Sequence, residues 1–308
     1  MTLLAHRPAP TQSAPPAQGP ATPRRPRRSR PRGAKRPLPV TILFYALLAV
    51  VLAIFVVPVY WLFSSAIKPE WEIYTYPLQW IPTTFEWENF VRAWNAVPFD
   101  RFFVNSLIVT TVGTTLEISV AVLSAYAFVF VLFRFKTPLF LFMVGSMMLP
   151  GHITLLVNYM TMGNLGWINT YQGLILPGIG SAFAMFLLYQ QMRQVPSELV
   201  DAAMVDGAGH LRRMRSVVLP ICTPMLLTCT LIVLIAKWNE FVWPLIITTT
   251  STMRTLPIGL LFLRSEEGYT NWGSIMAGTL MVALPMLLIF FLAQKRIIGG
   301  LTSGALKG

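Results

Sequence analysis

Three charged side chains stand inside runs that are otherwise apolar: Glu117, Lys237 and Glu240. An ionised group at the centre of a membrane helix costs about 2.5–3.5 kcal/mol on insertion scales, so it meets a partner or faces a polar cavity. The chemistry open to these groups is pairing and binding rather than bond making. Mid-run Glu117 must find something polar across a bundle. Lys237 and Glu240 are three residues apart, the spacing at which side chains one helical turn apart can pair. Both stand near one end of their run, where long side chains reach outward cheaply. Two readings stand for this group and the intervening Asn239: structural pairing, or lining of a path for a polar solute. In "MLPGHITLL" Pro150 and Gly151 interrupt a helix and free backbone groups, which is tolerated beside protein or a wet cavity. His152 is there either a solute contact or a histidine bonded to a neighbouring helix. Metal and nucleophile chemistry find little support. His6, His152 and His210 fall in unrelated segments, and Cys222 and Cys229 are seven apart in one apolar run. Seven residues of helix rise roughly 10 Å, too far for a disulfide, so both read as plain lipid- or core-facing thiols.

A second constellation is polar. "SELVDAAMVDGAGHLRRMRSVVLP", from Ser197 to Pro220, interrupts two apolar runs. Pro196 stops the preceding helix and Ser197 is a suitable N-cap. Glu198 and Asp201 lie in the first turn, where the helix dipole favours acids. Leu199, Ala202 and Ala203 form one small apolar face. Gly207 can adopt the left-handed conformation that ends a helix. The spacing predicts a helix of about nine residues, some ~14 Å long, outside the membrane. Arg212, Arg213 and Arg215 then anchor the return to the bilayer, and Pro220 sits near the first turn of the next span. Taken alone, this helix either lies on lipid headgroups or offers its two alanines to a closely approaching partner.

The elements that position these groups are membrane spans. Of 308 residues, 55% are hydrophobic and 12% charged, whereas a soluble domain carries about a quarter charged residues. The formal charge of +12 does not point to nucleic acid, because nine of the 24 Lys and Arg residues lie in the first 36 positions. Residues 1–39 are rich in Pro, Ala and Arg with little to bury; they read as a disordered cytoplasmic tail, a basic tether near anionic lipid. The paired arginines resemble a twin-arginine export signal, but the apolar run that follows is too long for one and has no cleavage site. Six runs suffice to cross a bilayer at about 20 residues each: 40–63, 103–133, 138–160, 171–192, 221–247 and 273–293. With the N-terminus inside, the inner segments beyond the tail hold nine basic residues and the outer ones five, which favours two cytoplasmic termini. The chain then divides into the tail, a first span with its outer loop (40–100), a five-span core (101–296) containing the polar helix at 197–207, and a cytoplasmic C-terminal tail (297–308). The first outer segment, with "KPEWEIYTYPLQWIPTTFEWENF", is either an interfacial aromatic belt or a docking face.

The cassette carries a resemblance. Asp201-Ala202-Ala203, three residues, Gly207, nine residues, then Val217, any residue, Leu219 and Pro220 is similar to the cytosolic-loop signature of ABC-importer membrane subunits. Asp201 stands where Glu is usual and Val217 where Ile is usual; each keeps charge or shape. The resemblance covers essentially everything after the tail. "NSLIVT" from Asn105, "LGWINTYQGLILPGIGSAFAMFLL" from Leu165, "KWNEFVWPL" from Lys237, "RTLPIGL", "NWGSIMAG" and the terminal "GLTSGALKG" resemble the carbohydrate-type branch, including maltose importer subunits. "EEGYTNWG" from Glu266 is closer to glycerol-3-phosphate importers. The resemblance implies an all-α, six-span, type I importer permease in the bacterial inner or plasma membrane. It implies a coupling helix, Glu198 to Gly207 with Leu219 and Pro220 behind it, that docks in a cleft on a separate ATPase subunit, two copies of which power the importer. It also implies a second, related membrane subunit and an extracytoplasmic binding protein that delivers a sugar or glycerol-3-phosphate-like solute to the loop at 248–272. No Gly-x-x-x-x-Gly-Lys-Ser/Thr phosphate loop is present; ATP and magnesium are expected on the partner, with no cofactor, metal or catalytic residue in this chain. The rival readings are a permease for another small solute, an ion-coupled secondary transporter with Glu117 as its coupling acid, and an intramembrane enzyme built on His152.

Overall fold

The computed structural model describes residues 38–263 and 271–305, without the side chains at 152, 293 and 295–305. Residues 1–37 of the N-terminal tail, most of "EEGYTNWG" and the His152 side chain therefore lie outside the described residues, as do the side chains of the terminal motif; Leu38 and Pro39, assigned to the tail, belong to the first helix. Among the described residues every regular element is helical.

The chain opens with α1 (Leu38–Ala66), whose last residues, Ser64, Ser65 and Ala66, are buried. Two short helices follow, α2 (Glu70–Tyr74) and α3 (Glu88–Ala96), before the long α4 (Phe99–Phe130). The third apolar run is broken as Pro150 and Gly151 require: α5 (Lys136–Ser146), a 3-10 turn (Gly151–Thr154) and α6 (Leu155–Asn164). The fourth also breaks. Tyr171–Gly178, containing α7 (Tyr171–Ile175), meets α8 (Ala182–Met192) at 47°. Pro177 and two glycines stand at the bend, and Ser181 restarts the helix by accepting a hydrogen bond from the Ala184 amide at 3.2 Å.

After α9 (Ser197–Val205) come α10 (His210–Arg213), a π-helical turn (Met214–Val218) and α11 (Leu219–Trp238), which run together as one helix of 29 residues. The fifth run was expected to extend to 247; instead α11 ends at Trp238 and α12 (Val242–Ile247) is separate. The chain closes through α13 (Leu256–Phe262) and α14 (Trp272–Ala305). Among the described residues four helices are long and apolar enough to cross a membrane, α1, α4, His210–Trp238 and Trp272–Leu292; the bent α7–α8 pair makes a fifth if counted as one span.

From Phe55 onward the chain forms one compact unit. Its centre is the packing of α4, α8 and α11, where Ala121, Ala125 and Ala184 let backbones approach and Met185, Leu188, Val218 and Cys222 fill the space between. Both cysteines are buried there as free thiols. α14 lies on α11, with the Trp238 indole donating to the Val282 carbonyl at 3.0 Å, and its Ala277 packs on Ala93 of α3.

Candidate functional site

Two places gather the residues singled out in the sequence. The first lies inside the bundle. Lys237 reaches from the last turn of α11 to Glu117 on α4, Nζ to Oε2 at 2.8 Å, and donates to the Gly178 carbonyl at 3.0 Å. The two side chains are 17% and 10% exposed. Gly113, one turn before Glu117, leaves room for the passage: a Cβ there would stand 3.0 Å from Lys237 Cδ. The expected pairing of Lys237 with Glu240 is thus corrected. The helix ends at Trp238, so the three-residue spacing no longer places both side chains on one face. Asn239 folds its amide back onto the Ile235 carbonyl at 2.8 Å. Glu240 turns to the start of α12, its Oε1 accepting from the Trp243 amide at 3.3 Å, where helix-end amides lack partners.

Beside this pair is a cavity of about 310 Å3, lined among others by Lys237, Glu240, Trp243, Thr154 and Asn158. Gly151 borders it, so the interrupted third run does adjoin a cavity, one with a few polar groups in a mostly apolar lining. Asn158 on α6 and Trp243 on α12 were not foreseen; the polar Asn158 in an apolar stretch was the available signal.

The second place is α9. It covers the nine residues expected, and its end is a Schellman motif: Gly207 at φ +76 sends its amide to Met204 O at 3.0 Å, and Ala208 sends its own to Ala203 O at 2.9 Å. Two details differ from expectation. Pro196, not Ser197, occupies the cap, and no side chain closes it; proline presets the extended backbone that a cap needs. The face held against the bundle is that of Val200, buried with Met214 and Val218, whereas Leu199 is exposed together with Met204 and Val205. Glu198, Asp201 and Ala202 are exposed, and Ala203 is half-buried. Leu219 and Pro220 do not begin the following helix, which starts at His210. They sit at the exit of the π-helical turn, where the Leu219 amide bonds Met214 O, five residues back. Pro220 has no N–H to give to the carbonyl four residues earlier, and a widened turn accommodates such a gap.

A third feature escaped the sequence reading. The segment after α12 is held by three polar side chains. Asn105 donates to the Thr252 and Arg254 carbonyls, each at 2.9 Å, and accepts from the Tyr171 hydroxyl at 2.7 Å. Ser106 accepts from the Leu256 amide at 2.7 Å. Asn169, at φ 56, accepts from the Thr249 and Thr250 amides at 2.7 and 3.1 Å. "NSLIVT" and "INT" contain these residues, but nothing local reveals partners some 80 to 150 positions away.

A bundle of long apolar helices with an ion pair and a cavity inside, and a short helix carried beside it, fits a membrane transport subunit. The chain belongs to the family of binding-protein-dependent transport system inner membrane components, which it matches over residues 29–297. It is the permease subunit of an ATP-binding-cassette importer, a component whose ATPase is a separate subunit. It is 33% identical over 225 residues to the trehalose/maltose transport system permease protein MalG of Thermococcus litoralis, covering 72% of this chain and 81% of that one. It is 32% identical over 269 residues to the sn-glycerol-3-phosphate transport system permease protein UgpE of Escherichia coli, covering 85% and 96%. A crystal structure of a bacterial ABC transporter involved in the import of the acidic polysaccharide alginate contains a chain of the same fold, with a TM-score of 0.76 at 20% identity, covering 83% of this chain and 95% of that one.

Proposed function

We propose that this permease passes a sugar or a glycerol-3-phosphate-like solute, delivered by an extracytoplasmic binding protein, through a path shared with a second, related membrane subunit. In this reading the chain crosses the membrane six times, the broken α5–α6 pair serving as one span, with both termini in the cytoplasm. ATP and magnesium bind the two ATPase copies. Glu117, Lys237, Asn239, Glu240 and His152 border the path. The hydroxyls of Thr111, Thr115 and Ser119 recur every four residues on an exposed face of α4, each bonded back to its own helix; small residues of this kind suit helix–helix packing within a bilayer, here against the second membrane subunit.

The observation that carries the reading is α9. A nine-residue helix with both ends defined presents Leu199, Met204 and Val205 outward, Val205 at 88% exposure, while Val200 fastens it to the turn that leads into α11. Those outward groups, with Glu198, Asp201 and Ala202, form the face that the ATPase grips. Closure of the ATPase pair then moves α9, and α11 follows as a rigid body, a two-state element biased by nucleotide. The test is a thiol at the exposed position, Ala202→Cys, in the assembled importer. Crosslinks to the ATPase whose yield changes with nucleotide support the reading; no crosslink in any nucleotide state, with the complex intact, overturns it.

A further inference from the structure

The charges around the cavity beside the ion pair bear on which of the two solute classes it can take. Lys237 is the one basic group among its described lining residues. Its ammonium is already engaged by Glu117 at 2.8 Å and the Gly178 carbonyl at 3.0 Å. Glu240, also in the lining, contributes a second carboxylate. With all three groups ionised, Lys237, Glu117 and Glu240 carry one net negative charge. The α12 N-terminus, the other feature that could attract an anion, already receives the Glu240 carboxylate through the Trp243 amide at 3.3 Å. A phosphate ester entering here would meet a like charge in a poorly screened space and, among the described residues, no uncommitted cation. Phosphate recognition uses the opposite arrangement, with arginine, lysine or helix amides turned toward the ligand.

The remaining lining fits an uncharged ring bearing hydroxyls. The Asn158 side chain, half-buried, has no hydrogen-bond partner among the described residues and offers both donor and acceptor. Thr154 bonds Gly151 O at 3.1 Å and retains acceptor capacity. The Glu240 carboxylate can accept hydrogen bonds from hydroxyls. The indole of Trp243, whose own N–H is committed to Gly173 O at 3.0 Å, supplies an apolar plane against which the C–H face of a sugar can pack. A mostly apolar lining with a few fixed polar groups is the ordinary make-up of a small-molecule site, and about 310 Å3 accommodates one or two sugar rings.

We propose that this cavity is a solute subsite selective for uncharged, polyhydroxylated rings over phosphate esters, so that the cargo is a neutral sugar. The proposal rests on the reading of the chain as a solute-passing permease. It is tested on the importer assembled with its membrane and ATPase partners in lipid nanodiscs. Radiolabelled glucose, maltose, trehalose and sn-glycerol 3-phosphate are titrated by equilibrium dialysis, without the binding protein. The expected result is saturable binding of at least one sugar and none of glycerol 3-phosphate over the same range. Asn158→Ala should weaken the sugar several-fold. Glu240→Gln keeps an acceptor for the Trp243 amide while removing the charge, and should admit the phosphate ester several-fold better than wild type. Three results overturn the proposal: no saturable sugar binding, sugar binding indifferent to both substitutions, or glycerol 3-phosphate bound more tightly than sugar and lost in Lys237→Met. Uptake into vesicles, with the binding protein and ATP present, separates the levels. ATP-driven uptake of any solute alongside an overturned cavity leaves the permease reading standing; no ATP-dependent uptake of any solute removes that reading too.

Discussion

Lys237 and Glu117, 120 positions apart in the sequence, meet at 2.8 Å inside the bundle and tie the end of α11 to the middle of α4. Removing one partner leaves the other charge in apolar surroundings. Lys237→Met or Glu117→Gln alone should therefore destabilise the protein by about 3 kcal/mol, the low end for a broken buried pair because both groups retain some exposure. The double variant should recover much of that loss. Thermal unfolding of the four proteins in detergent, read as a double-mutant cycle, checks it; additive losses would mean the pair contributes nothing as a pair.

Gly207 closes α9 in the left-handed region at φ +76, with open space around its absent Cβ. The penalty for a side chain there is conformational rather than steric. Gly207→Ala should cost about 1–2 kcal/mol locally, and Gly207→Val more, because branching at Cβ narrows the backbone further. ATP-driven uptake should fall in that order at unchanged membrane abundance. Equal transport by all three would show that the end of α9 need not be fixed.

Asn105 joins α4 to the segment after α12 through two carbonyls and to α7 through Tyr171. Asn105→Leu is close in size but makes none of these bonds, and the loss should be about 2 kcal/mol. The effect should be local: trypsin should cut after Arg254 faster in the variant, while cutting elsewhere stays unchanged.

Glu72 is fully buried just beyond α1, accepting from the Thr83 amide at 3.2 Å and from the Thr83 hydroxyl. Burial pushes its carboxyl up, but the Thr83 and Thr84 hydrogen bonds and the charge of Lys68 together hold it below the ordinary value. A carboxylate whose folded pKa is depressed stabilises the fold above its unfolded pKa, and that contribution disappears as pH falls through the folded value. Protection of the Thr83 amide against hydrogen exchange, relative to its intrinsic rate, should therefore fall as pH drops through and below the ordinary carboxylate range, and Glu72→Gln should remove that acid dependence. Neighbouring Lys68 shifts downward, from burial first, with Glu72 opposing.

Much of this arrangement can be read from the sequence because it is local. Pro150 with Gly151 announces the break in the third run, and Gly207 announces the end of α9, since each acts on its own backbone. The need of Glu117 for a polar partner also follows from solvation alone. The identity of that partner does not. Lys237 and Glu240 have the right separation for a helical pair, but the helix stops at Trp238, and a spacing rule says nothing once the spiral ends. Asn105, Ser106 and Asn169 were unreadable for a related reason: their bonds reach across the fold, and an asparagine looks the same in the sequence whether it ends a turn or clasps a distant loop. Val200 rather than Leu199 faces the bundle because the direction of approach is set by Met214 and Val218, a tertiary contact that periodicity cannot orient.

The π-helical turn at Met214–Val218 has a consequence for register. Such a turn houses one residue more than an α-helical turn of the same height. The widened turn absorbs that residue, so excising it would let the turn close as ordinary α-helix with the upstream segment and α9 kept on their side of the rod. What a one-codon deletion there would remove is the slack the turn gives beside Pro220, which has no N–H to offer, so the helix should tighten and strain locally while the direction of α9 stays unchanged.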